Sequence, residues 1–160
     1  MQVETLTREN FAAFGDVIDV SGVAPITINQ GYAQKYMGQA HIDVGLQEGS
    51  INISLFMAQP RPTPIAIALM ERHPLGSQMF MPLQNRPWLV LVCAAPNDAK
   101  SYRLFRATGQ QGVNYARNVW HHPLLVHDVD SRFLIVVRAG PGDNLEEVWL
   151  PENLLIAATG

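Results

Sequence analysis

Ile65-Ala66-Ile67-Ala68-Leu69-Met70-Glu71-Arg72-His73-Pro74-Leu75-Gly76-Ser77-Gln78-Met79-Phe80-Met81-Pro82 is the stretch on which the fold turns. Its first five residues put the larger apolar side chains at odd positions, and a strand sends alternate side chains to opposite faces. With no bulge, Glu71 and His73 share the face of Ile65, Ile67 and Leu69. A face that is apolar along its length and polar at its end is what a barrel wall presents at the barrel mouth. Pro74 and Gly76 then break the strand into a tight turn. Gln78 and Phe80 begin the return strand. Nowhere else in the chain do a carboxylate, a guanidinium, an imidazole and a carboxamide stand so close together between apolar runs.

The flanking segments extend the strand reading. Upstream, Ile51-Asn52-Ile53-Ser54-Leu55 alternates apolar and polar residues, as a strand between two environments does. Asn52 and Ser54 are candidate cavity residues on that alternation. Gln59-Pro60-Arg61-Pro62-Thr63-Pro64 reads as a stiff extended connector, too short for a domain boundary. Downstream, Trp88-Leu89-Val90-Leu91-Val92-Cys93 is a continuous apolar run whose length suits a strand buried on both faces. Tyr102–Ala107 is a further strand. Leu124–Val126 and Phe133–Val137 read as a closing hairpin turned at Asp128-Val129-Asp130-Ser131. At the start, Thr7 caps a short helix over Asn10–Phe14 that stops at Gly15, and Asp16–Val20 is a short strand. Pro151–Leu155 reads as a terminal helical turn. Many short strands separated by turn residues predict a mainly all-β fold, an antiparallel barrel or double sheet with short peripheral helices. No long helical pattern supports a parallel α/β alternative.

Composition narrows the function classes. The chain has 160 residues, of which 48% are hydrophobic and 16% charged, which suits one globular domain over residues 1–160. The formal net charge is -3 with no basic run, which argues against a nucleic-acid partner. The single cysteine, Cys93, excludes an internal disulfide and reads as a small buried apolar side chain. The start shows no signal-peptide pattern and no apolar run spans a membrane, so the expectation is a soluble, cytoplasmic protein.

A second polar concentration follows: Gly112-Val113-Asn114-Tyr115, then Asn118-Val119-Trp120-His121-His122-Pro123-Leu124. Together with Glu71-Arg72-His73-Pro74-Leu75-Gly76, this segment resembles the two signature segments of the ureidoglycolate lyase family. Phe14-Gly15-Asp16-Val17-Ile18, Ala58-Gln59-Pro60 and Phe80-Met81-Pro82 resemble further family segments at compatible spacing. The resemblance implies a cupin-like barrel, a homodimer, and cleavage of ureidoglycolate to glyoxylate and urea at the end of allantoin breakdown. Other readings are another cupin enzyme, an isomerase or a metal-dependent one, or a non-catalytic module that binds a small acid. The acid and base groups of the polar cluster favour an enzyme over a binding module.

The chemistry can be set against the residues. Cleaving ureidoglycolate removes a hydroxyl proton, forms an aldehyde carbonyl and protonates a departing urea nitrogen, so placed acids and bases carry it. Glu71, His73 and His121 are the candidates. Gln78, Asn114, Tyr115 and Asn118 are candidates to bind the ureido group, and Arg72 to bind the carboxylate, with Arg86 and Arg117 as the next arginines. Neighbours on a strand face opposite ways, so Glu71 and Arg72 are not both inward, and only one of His121 and His122 is. The likeness to cupins places His121 inward. Trp120 reads as packing or a dimer contact. Metal-binding cupins offer three histidines and a glutamate; His73 and His121 match two of these, and Gln78 stands at the glutamate. A neutral amide is a poor transition-metal ligand, yet two histidines with Glu71 still make a ligand set. The resemblance implies a divalent metal, nickel in particular. A metal is therefore admitted rather than required, and no organic cofactor is expected.

Overall fold

The computed structural model describes residues 1–157. The chain runs through β1 (Val3–Thr5), α1 (Arg8–Phe11), β2 (Gly15–Ile18), β3 (Ile26–Ile28), β4 (Ala33–Lys35), β5 (Ser50–Ala58) and β6 (Ile65–Arg72). It continues through β7 (Gln78–Pro82), β8 (Trp88–Cys93), β9 (Tyr102–Ala107), β10 (Gly112–Tyr115), β11 (Trp120–His121), β12 (Leu125–Val126), β13 (Ser131–Ala139) and β14 (Glu146–Ile156). A seven-stranded sheet in the order β1-β9-β8-β11-β6-β14, with β12 also beside β8, faces a five-stranded sheet in the order β2-β10-β7-β13-β5. The predicted all-β double sheet is what forms, and its pairings are antiparallel except for β1 with β9. No described helix is long and apolar enough to cross a membrane.

Strand β8 shows how the sequence builds this. All six of its residues are buried. Trp88, Val90 and Val92 enter a core between the two sheets with Phe80, Phe105, Val113, Phe133 and Ile135. Leu89, Leu91 and Cys93 enter a second core with Ile65, Ile67, Met70, Leu104 and Ile156. All the buried members of that second core come from the larger sheet, so its own strands close its outer face. Each large side chain fully buried in this way contributes about 1.5–3 kcal/mol. The short helix is capped as expected: Thr7 Oγ1 accepts from the Asn10 amide, and Asn10 Oδ1 accepts from the Thr7 amide. It ends at Phe11, earlier than predicted, although Phe11 and Phe14 still pack together at 5.9 Å.

Four expectations need correction. Ile67 and Met70 lie in the same core although three residues apart, so the alternation of β6 slips between them. The slip lies beside a register shift of β14 between Trp149 and Leu154. It turns Glu71 to the face opposite Ile65 and Ile67, toward the space between the sheets. Secondly, β6 and β7 are no hairpin: they belong to different sheets, and residues 73–77 carry the chain across. The third concerns β12 and β13, which likewise lie in different sheets. Finally, Pro151–Leu155 is part of strand β14 rather than a helical turn, because Leu154, Leu155 and Ile156 pair with Ile67, Ala66 and Ile65.

Candidate active site

The crossing at residues 73–77 is locked from several sides. Gly76 leaves no room for a side chain, since a Cβ there would sit 2.7 Å from Arg138 Cβ. The Ser77 amide donates to the Asp43 carbonyl, and the Leu75 amide donates to Asn144 Oδ1. The Asn118 amide donates to the His73 carbonyl at 3.0 Å. Asn118 itself is exposed and holds a left-handed φ of 67°. Asparagine tolerates that conformation better than most residues.

His73 and His121 are thereby brought to one place from different strands and loops. Their ring centroids are 5.3 Å apart. His121 pairs in register with Glu71 on β6 and with Val92 on β8, so it faces inward with both. Its ring lies flat on the Tyr115 ring, 4.1 Å away and only 10° from parallel. One ligand atom each from Glu71, His73 and His121 lie within 4.8 Å of one another, and among the described residues this is the one group of His, Cys, Asp or Glu gathered so tightly.

Hydrogen bonding sets where the ring protons sit. His73 Nδ1 lies 2.7 Å from the Asn144 carbonyl and His121 Nδ1 lies 2.9 Å from the Val119 carbonyl. A carbonyl only accepts, so both Nδ1 atoms carry protons. His73 Nε2 is buried with no hydrogen-bond partner, 3.9 Å from Glu71 Oε1. His121 Nε2 faces Gln78 Oε1 at 3.0 Å and Glu71 Oε1 at 3.4 Å. Two acceptor oxygens around one nitrogen call for a positive particle at their meeting point, a proton or a metal cation. Burial pushes the Glu71 carboxyl upward, but the His121 hydrogen bond and the charges of the three nearby histidines outweigh it, and the net shift is downward. His73 is shifted downward by burial and by His121, against the opposing pull of the Asn144 carbonyl and Glu71. Burial and the Glu71 charge raise the Tyr115 phenol.

The cluster opens into a cavity of about 680 Å³ between the sheets. Gln78, Phe80, Phe56, Arg61, Pro123, Leu124 and Leu145 contribute to its walls with Glu71 and His73. The structure therefore joins Glu71, His73, His121 and Gln78 as expected. It leaves the other candidates out of the cavity wall. Asn114 faces the opposite side of its sheet, where its Nδ2 donates to Asp16 Oδ2 and to the His41 carbonyl. Its Oδ1 is unpartnered but sealed from solvent, and Asn114 does not line the cavity. Asn118 acts through its backbone alone, and Tyr115 offers its ring face to His121. Arg72 points outward, paired with Glu146 at 2.5 Å and stacked over Trp120 at 4.5 Å. Arg117 pairs with Asp43, and Arg86 does not line the cavity. Asn52 and Ser54 do not line it either. His122 is buried off the cavity, its Nδ1 proton given to the Pro123 carbonyl.

Two contributors escaped the sequence reading. Asn144 clamps the crossing through both its side chain and its carbonyl, and its only sequence signal is a loop around Gly140 and Gly142. Arg61 lies in the connector and lines the cavity; a cation set between two prolines is its only signal in the sequence.

A family model described as ureidoglycolate lyase matches residues 1–157. A protein of Rhizobium meliloti (strain 1021) named ureidoglycolate lyase 1 is 45% identical over 157 residues, covering 98% of this chain and 92% of its own. A ureidoglycolate lyase of Burkholderia mallei (strain NCTC 10229) is 47% identical over 155 residues, covering 96% and 91%. One of Brucella anthropi is 48% identical over 153 residues, covering 94% and 90%. Matched along nearly its whole length, with Glu71, His73 and His121 of the two resembling segments gathered in one cluster, the chain belongs to the ureidoglycolate lyase family.

Proposed function

We propose that this protein cleaves ureidoglycolate to glyoxylate and urea. The observation that carries the reading is the pair of histidine Nε2 atoms with opposite surroundings beside one cavity: that of His73 has no partner, and that of His121 faces two oxygens. His73 presents a bare, buried Nε2, the atom a general base needs. His121 presents an Nε2 hemmed by two oxygens, which favour a proton there.

In this reading His73 Nε2 takes the hydroxyl proton. The hydroxyl oxygen's electrons form the aldehyde carbonyl as the C–N bond breaks. His121 Nε2 gives its proton to the departing urea nitrogen. Glu71, ionised at neutral pH, lies 3.4 Å from His121 Nε2 and stabilises positive charge there. Gln78 presents its amide to the ureido group. No water is consumed, and the proton lost at oxygen is balanced by the one gained at nitrogen. Tyr115, flat against His121, holds that ring in plane.

The same atoms fit a divalent cation. A histidine whose Nδ1–H is held by a carbonyl presents Nε2 as a ligand, and His73 Nε2 is such an atom without a partner. Glu71, His73 and His121 would hold the ion, which would supply Lewis-acid polarisation of a bound oxygen.

We place the homodimer contact on β5, an edge strand whose Ile51, Ile53, Leu55 and Met57 are all well exposed. A long apolar edge strand is a ready pairing surface. The test of the lyase reading is glyoxylate and urea release from ureidoglycolate, measured against a no-enzyme control because the substrate decays unaided. Ammonia in place of urea, or no release above the control, overturns it.

A further inference from the structure

We propose that Arg61 is the residue that holds the substrate carboxylate, and that it gives the cavity its selectivity for a carboxylate over an uncharged amide. The inference rests on the lyase reading for the identity of the substrate. Its structural basis is a matter of charge. Glu71 puts a carboxylate in the wall of the cavity, so a small anionic substrate meets a like charge as it enters. A cation has to offset this. Arg61 is the one Lys or Arg among the described residues that line this cavity. It is exposed, and its guanidinium has no ion pair or hydrogen bond among the described residues.

The competing arginines are spent. Arg72 is held by Glu146 and Trp120, Arg117 by Asp43. Arg138 gives its guanidinium to the carbonyls of Leu46, Gln47 and Pro141. Arg61 is also preorganised. Pro60 and Pro62 fix the backbone φ of the residues on either side of it, which cuts the freedom lost when the side chain engages a ligand. The guanidinium fork matches two carboxylate oxygens, so it orients the anion as well as attracting it.

The experiment compares wild type with Arg61→Gln, Arg61→Lys and Arg72→Gln. Two readouts are taken: ureidoglycolate kinetics, and calorimetric binding of glycolate and of glycolamide, its uncharged counterpart. Arg61→Gln is expected to raise KM and weaken glycolate binding by about 10–100-fold, with kcat changed by less than about threefold. Arg61→Lys recovers part of the loss, because it keeps the charge and loses the fork. Glycolamide binding and the Arg72→Gln protein stay close to wild type. Arg61→Gln with unchanged KM and unchanged glycolate affinity overturns the proposal. So does a fall in kcat alone, which would move Arg61 to the reacting centre. If wild type fails to turn over ureidoglycolate, the lyase reading falls while the glycolate and glycolamide pair still decides the role of Arg61. Selective loss of carboxylate binding in Arg61→Gln supports it, and equal binding by both proteins refutes it.

Discussion

The two sides of the smaller sheet near Tyr115 hold polar groups drawn largely from the same two stretches of sequence, and they differ in what lies beside those groups. On the outer face Asn114 spends both amide protons on Asp16 and the His41 carbonyl, Arg117 pairs with Asp43, and Ser77 Oγ accepts from the Asp43 amide. On the inner face His73 Nε2 has no partner, and the Arg61 guanidinium has none among the described residues. Buried polar atoms are nearly always satisfied, and an exception calls for an explanation. The outer network stabilises the crossing, and its own unpartnered atom, Asn114 Oδ1, is sealed away from the cavity; the unpartnered His73 Nε2 belongs to a residue that lines it. Polarity and burial alone would not have told the two faces apart.

The largest effect that could break this comparison lies at the inner histidines. His73→Asn and His121→Asn should each lower kcat by about 10²–10⁴-fold. The bulk of the core does not rest on either ring, so both proteins should still unfold cooperatively. In wild type the acid limb of kcat/KM should have its midpoint below 6.5, because burial and His121 lower the pKa of His73, which must be neutral to accept a proton. Two active variants would move the acid–base work off these rings.

Next in size is a stability effect at His122, the neighbour that does not line the cavity. Burial, with Arg61 and His121 adding to it against the Pro123 carbonyl and Glu71, holds His122 near a pKa of about 4. An unfolded histidine titrates near 6.5. Between these values the unfolded chain binds more protons, so this contribution is intact above 6.5 and is lost as pH falls through about 4. The loss reaches at most about 3 kcal/mol. Urea unfolding at pH 7 and pH 4.5 should show His122→Asn with a shallower pH dependence than wild type, while turnover at pH 7 changes little. An identical slope in both proteins would mean that His122 is not the titrating group.

On the outer face, Asn114→Ala should cost about 1–3 kcal/mol of stability, since Asp16 Oδ2 and the His41 carbonyl each lose a donor. Its kcat/KM should stay within about threefold of wild type. A collapse of kcat at unchanged thermal stability would show that the outer network takes part in turnover.

The fold was largely legible because β8 and its neighbours follow the two-residue period, and because turn residues separate the short strands. The site was half legible. Glu71, His73, His121 and Gln78 stand out as polar residues between apolar runs. The slip in β6 is hidden, because it reflects how β14 pairs alongside rather than any residue in β6. Parity excluded either Glu71 or Arg72 but could not choose between them. Asn114 lies on the outer face because alternation along β10 sets it opposite Val113 and Tyr115. The place of Arg61 in the cavity wall is not legible, because the prolines around it describe a backbone and say nothing of where its side chain points. Asn144 could not be found at all, since its value comes from being 71 residues away from His73 and touching it.

The smallest expected effect concerns metal, and it separates two uses of the same lone pairs. If His73 and His121 move protons, their Nε2 atoms cannot be occupied by a resident ion at the moment of reaction. Exhaustive dialysis against a chelator should then leave most of the turnover intact, and added nickel should inhibit or do nothing, since it would compete for those atoms. Gln78 favours this outcome: a neutral amide stands where a carboxylate ligand would bind an ion more firmly. Full loss of turnover on chelation, restored by nickel or another divalent ion, would make the two rings ligands and hand proton transfer to other groups. The Asn114→Ala protein sharpens the result. Its inner cluster is intact, so it should respond to chelator and nickel as wild type does, whereas His73→Asn should lose any response to nickel that depends on the complete donor set.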